Sequence, residues 1–184
     1  GFTAPTGEGL GRDALGVTRP YPRHPLLWWD LGVAAVLAIM AAVGIAEVLA
    51  GGVIGFGVTE IGPGIALTLG VLLLFTAVYV ALGRAALRRA ALDEPAQSAD
   101  LWFLGIMVVI LALATAVNGS FATLQVLGYP IIWSCECRYR SAVRWSGVLA
   151  LAVALGALTR VEGFGGLFGV SVMTLLSFAF AVTM

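Results

Sequence analysis

The sequence predicts an all-α integral membrane protein, a six-helix transmembrane bundle with both termini cytoplasmic. Three observations predict it. Of 184 residues, 60% are hydrophobic and only 11% charged, whereas a soluble domain is about a quarter charged. That is too little charge to cover a water-facing surface. The few charges gather in short clusters separated by long uncharged stretches. The ten basic residues, all of them Arg, fall almost entirely on alternate clusters. A net charge of zero also removes any global attraction to nucleic acid.

Residues 1–25 are rich in Gly, Pro and Thr and lack apolar periodicity. They read as a disordered cytoplasmic tail, not as a signal peptide, because no short apolar stretch precedes a small-residue cleavage site. His24, between Arg23 and Pro25, reads as a solvated residue of that tail. A span needs about 20 apolar residues to cross about 30 Å of hydrocarbon. Asp30 and Glu47 enclose 16 uncharged residues, and Leu26, Leu27, Trp28 and Trp29 lengthen that run. The first span is therefore 26–50, with Asp30 in the first turn, where a carboxylate suits the helix dipole. The 23 uncharged residues between Glu60 and Arg84 give the second span, 62–83. Arg84, Arg88 and Arg89, followed by Asp93, Glu94 and Pro95, read as an interfacial extension that attracts anionic headgroups.

Asp100 and Glu136 enclose 35 uncharged residues, too long for one span at about 52 Å of helix. The turn-forming triplet Asn118-Gly119-Ser120 near the middle divides it into a hairpin of spans 101–117 and 121–137. The fifth span, 144–160, is short, with Trp145 anchoring one end and Arg160 snorkelling at the other. The sixth is 164–184. Six spans place Arg12, Arg19, Arg23, Arg84, Arg88, Arg89, Arg138, Arg140 and Arg144 on one side and only Arg160 on the other. By the positive-inside rule that side is cytoplasmic. The chain starts with Gly and stops, still apolar, at Met184. It reads as part of a longer product.

Few residues stand out as sites. Glu47, near the outer end of the first span, is either an interfacial carboxylate or an intramembrane proton or ion group. Asn118 is a turn residue, with an interhelical hydrogen bond as the alternative. Cys135 and Cys137 flank Glu136, but positions i and i+2 on a helix point apart. They read as small apolar thiols, not a metal site. Gly51 with Gly55, and Gly165 with Gly169, have the spacing of close helix contacts or of flexible loops. Pro130, flanked by Tyr129 and Trp133, is expected to break and kink the fourth helix. No GxSxG, HExxH or P-loop motif occurs, so the chain itself is expected to be no enzyme and to hold no metal or cofactor.

The stretch Leu124-Gln-Val-Leu-Gly-Tyr-Pro-Ile-Ile-Trp133, followed by Arg138-Tyr-Arg-Ser-Ala-Val-Arg-Trp145, carries a resemblance. It resembles the multi-span membrane sensor region of two-component sensor histidine kinases from GC-rich Gram-positive bacteria. Tyr129, Pro130 and Trp133 are the matching positions, and the likeness covers about 124–158. The resemblance implies a homodimer embedded in the bilayer, a cytoplasmic kinase domain after residue 184 that uses ATP and Mg, and a response regulator as partner. The chain lacks the phospho-acceptor His and the ATP-binding boxes of that family, so the resemblance implies the sensor half alone. On that reading a membrane or intramembrane signal passes through the last helix. A small transporter is the alternative, with Glu47 as its best residue, and a structural membrane-assembly protein is a third.

Overall fold

The computed structural model describes residues 26–52, 55–92, 94–136, 138–160 and 163–183. The predicted tail 1–25, with His24, and also Asp93 and Cys137 lie outside them. Among the described residues the fold is all-helical, without strands. Four helices are long and apolar enough to cross a membrane: Leu27–Leu49, Ile61–Ala91, Ser98–Val117 and Tyr139–Leu158.

Helix α1 (Leu27–Leu49) buries only Val33, Gly44 and Val48 and turns Trp28, Leu31 and Ile39 outward. Such an apolar outer face suits lipid and not water. Its end is set by glycine. Gly51 has a φ of 78°, its N–H donates to the Val48 carbonyl, and the Gly52 N–H donates to the Glu47 carbonyl. This is a Schellman cap, which needs the left-handed conformation that glycine adopts without strain.

Helix α2 (Ile61–Val78) passes through a π-helical turn at Tyr79–Gly83 into α3 (Arg84–Ala91). The predicted second span stops at 83, but the helix continues through the arginines to Ala91. Gly64, Thr68, Leu72, Phe75, Tyr79, Gly83, Ala86 and Leu87 are its buried residues. Their spacing of three or four is the stripe of a helix with one inward face. At 1.5 Å per residue the whole is about 46 Å long, more than the roughly 30 Å thickness of a hydrocarbon layer.

Helix α4 (Ser98–Val117) is the centre. Of its most apolar stretch 61% is buried, against 17% in α1 and 22% in α2–α3. Phe103, Leu104, Met107, Leu111 and Ala114 are all but inaccessible. It packs against α2 on one side and against α6 (Tyr139–Leu158) on another. Its start is a capping box, in which the Asp100 carboxylate accepts the Gln97 backbone N–H at 2.8 Å. Its end is Asn118, whose backbone is extended (φ −143°, ψ 121°).

The turn predicted at Asn118 is present. The next segment is a 3-10 stretch, Gly119–Leu124, that passes directly into α5 (Gln125–Cys135). Alone, α5 is too short to span. With the 3-10 stretch it covers about 28 Å. The expected break at Pro130 is not there, since α5 runs through it. The missing N–H costs one bond, but Tyr129, Ile131 and Ile132 beside it are buried and hold the segment by packing. Helix α6 begins at Tyr139 and not at 144, so Arg140 and Arg144 lie on its first turns. Helix α7 (Gly163–Thr183) packs mainly on α6.

Helices α4 and α6 approach closely at Gly156. A Cβ on Gly156 would overlap the Ala112 carbonyl oxygen and lie 3.2 Å from its carbon and 3.3 Å from the Ala116 nitrogen. Small residues at membrane helix interfaces allow this contact. Gly55 is similar, lying against the backbone of Ala116 and Val117. Its tight contact is made from the segment that joins α1 to α2. Nothing lies within 4 Å of a Cβ at Gly169.

Candidate functional site

Polar side chains in this apolar protein form three groups. The first lies where the start of α1, the start of α4 and the whole of α3 meet. Asp30 accepts a hydrogen bond from the Tyr79 hydroxyl at 3.0 Å and pairs with Arg84 at 3.0 Å. Arg89 forms a two-nitrogen contact with Asp100, whose side chain is 7% exposed. Two of the arginines predicted to set topology are therefore also structural clamps on α3. Arg88, Arg138, Arg140 and Arg144 are exposed. Because α3 packs on α5, and α6 starts just after α5, all six of these arginines lie toward one end of the helices.

The second group lies at the opposite end. The Glu47 carboxylate accepts from Asn118 Nδ2 and from the Ser120 hydroxyl, each at 2.5 Å. Asn118 Oδ1 accepts the Ser120 backbone N–H at 2.9 Å. Asn118 is 4% exposed and uses both ends of its amide. The two candidate intramembrane polar residues, read separately from sequence, thus bond to each other. Arg160 donates to the Val117 carbonyl at 2.7 Å, satisfying a backbone group at the end of α4. Glu47, Asn118, Ser120 and Arg160 line an open cavity of about 490 Å³. The reading of Asn118 as a turn residue holds, and the interhelical bond is present as well.

The third group was not predicted. Gln125 Oε1 accepts from the Tyr129 hydroxyl at 2.7 Å and from the Ser177 hydroxyl at 2.7 Å. The two hydroxyls are 3.0 Å apart. Gln125 and Tyr129 are one helical turn apart on α5, whereas Ser177 comes from α7. Sequence offered one usable signal, a Gln at i and a Tyr at i+4 inside an apolar run, but nothing that pointed to Ser177. Of the predicted signalling residues, Tyr129 is thus bonded to the last helix. Pro130 lines the same cavity of about 370 Å³ as Tyr129 and Ser177. Trp133 packs edge-on against Tyr139 with ring centres 5.6 Å apart, and its buried Nε1 has no hydrogen-bond partner.

Cys135 is buried, as expected of a small apolar thiol. Among the described residues no group of His, Cys, Asp and Glu is placed to hold a metal. Chemically the three groups lock helices together, and the third does so between α5 and the last helix. Comparison with known protein families, curated proteins and solved structures finds no match to the chain.

Proposed function

We propose that the chain crosses a bacterial plasma membrane six times with both termini cytoplasmic, and that it is the input module of a two-component sensor histidine kinase. The nine arginines clustered by sequence support the orientation. The 3-10 stretch with α5, at about 28 Å, supplies a fourth crossing, and α7 a sixth. The observation that carries the functional reading is the tie from Tyr129 and Gln125 to Ser177. Tyr129 and Pro130 are the residues through which the chain resembles such sensors, and they sit against the helix that would lead to the kinase.

That last helix is exposed along one side. Leu175 and Leu176 point outward, at 67% and 61% exposure, and the packing of α7 is mainly on α6. A helix secured along one side and by one hydroxyl can adopt a second position at a cost of a few kcal/mol, within reach of a signal that prefers one state. The module would act as a homodimer in the bilayer, hand the shift to a kinase domain after residue 184 that uses ATP and Mg, and so set phosphate flow to a response regulator.

The test uses the full gene product in nanodiscs with radiolabelled ATP. We expect phosphohistidine on a segment encoded after Met184. Ser177→Ala is expected to change basal phosphorylation several-fold, whereas Leu175→Ala on the outward face leaves it unaltered. A stop codon after Met184, or a full product without phosphohistidine, overturns the proposal.

A further inference from the structure

Gln125 presents an unfinished hydrogen-bond account. Its Oε1 accepts two bonds, but its Nε2, with two hydrogens, bonds to none of the described residues. The Gln125 side chain is half-buried. Gln125 lines two cavities at once, one of about 370 Å³ toward Pro130 and Phe180 and one of about 450 Å³ toward α6 and α7. Both walls are mostly apolar, with Val126, Val153, Met173 and Phe180 prominent. Along the 3-10 stretch Gln125 is about 12 Å from Asn118. On the membrane reading, that depth offers hydrocarbon in place of water, and an amide donor there lacks a partner at a cost of a few kcal/mol.

We infer that the cleft between α5, α6 and α7 binds an apolar molecule that bears a carbonyl oxygen, with that oxygen accepting from Gln125 Nε2. Tyr129 and Ser177 hold the amide by its oxygen, which leaves the nitrogen as its remaining donor. Apolar walls with one or a few convergent polar groups are the usual form of a small-molecule site. The carbonyl can belong to the ester of a bilayer lipid or to a free lipophilic ketone. This deepens the sensor reading by naming the class of input, and rests on it only for what binding would do to α7. Binding itself stands or falls apart from kinase output.

The experiment is photolabelling of the full gene product in nanodiscs. Three diazirine probes of matched length are used: a fatty-acid methyl ester, a long-chain ketone, and a hydrocarbon without oxygen. We expect one or both carbonyl probes to label peptides of α5 and α7 about tenfold more than the hydrocarbon, the equivalent of about 1.4 kcal/mol. The stronger of the two identifies the source as lipid or free ketone. Gln125→Leu should abolish the difference between carbonyl and hydrocarbon probes. Ala154→Phe, which fills from α6 the cavity of about 450 Å³ that Gln125 lines, should reduce labelling in that cavity to background. Equal labelling by all three probes, or wild-type labelling in Ala154→Phe with its helical circular dichroism intact, overturns the inference.

Discussion

Replacing Gly156 by alanine adds one methyl group and should loosen the centre of the protein. The new carbon would overlap the Ala112 carbonyl oxygen, with the Ala112 carbon at 3.2 Å and the Ala116 nitrogen at 3.3 Å. All three are backbone atoms of a helix, so no side chain can rotate away. The helices must part by about 1 Å to reach ordinary van der Waals separation, and a gap of that size forfeits a quarter to a half of each contact it opens. Overpacking of this kind costs about 1–3 kcal/mol. Alanine regains about 0.5–1 kcal/mol of helix propensity, leaving a net loss of about 1–2 kcal/mol. Gly70→Ala on the exposed face of α2 is the control, since nothing lies within 4 Å of its Cβ, and it should gain the propensity alone. The propensity gain is common to both, so the two variants should differ by the overpacking cost alone, about 1–3 kcal/mol. Reversible unfolding in mixed detergent and dodecyl sulfate micelles, followed by circular dichroism, measures the difference. Equal stability of the two variants would refute the close approach of α4 and α6.

Other expectations follow from the polar groups and the cap. Asn118→Ala should cost about 2 kcal/mol by removing a donor to the Glu47 carboxylate together with the acceptor of the Ser120 N–H, and with Glu47→Ala it should be markedly non-additive in the same unfolding assay. Arg89→Ala leaves the Asp100 carboxylate buried without its partner and should cost about 3 kcal/mol, whereas Arg84→Ala, whose pair is 48% and 33% exposed, should cost less than about 1 kcal/mol. Chemical-denaturant midpoints separate the two. Gly51→Ala meets no neighbour but must hold a left-handed backbone, so a loss of about 1 kcal/mol is expected, with Gly51→Asn losing less.

The helices were legible because hydrocarbon forbids charge, and every gap between charges therefore carried information. The turn at Asn118 could be read for the same reason, since no single helix can fill 35 residues of uncharged chain within one bilayer. What sequence hid were the pairings. Glu47 and Asn118 are 71 positions apart, and Gln125 and Ser177 are 52 apart. Each of those residues has an ordinary local explanation, so neither pair announces itself. The glycines failed for a related reason. Gly51 with Gly55 has the familiar spacing, but the central contact falls on Gly156, whose partners Ala112 and Ala116 lie on another helix. At Pro130 the helix continues instead of breaking, with Tyr129, Ile131 and Ile132 buried beside it.

The central position of α4 has a consequence for synthesis. Its contacts with α2 are to a helix already made, but α6 emerges about 40 residues later, roughly 2–8 s at the usual pace of translation. During that interval the backbone seat around Ala112 and Ala116 is uncovered, and the Val117 carbonyl awaits Arg160. Newborn chains thus pass through a stage in which the axle is installed before the part that grips it, and truncation between Val117 and Gly156 would leave that stage standing.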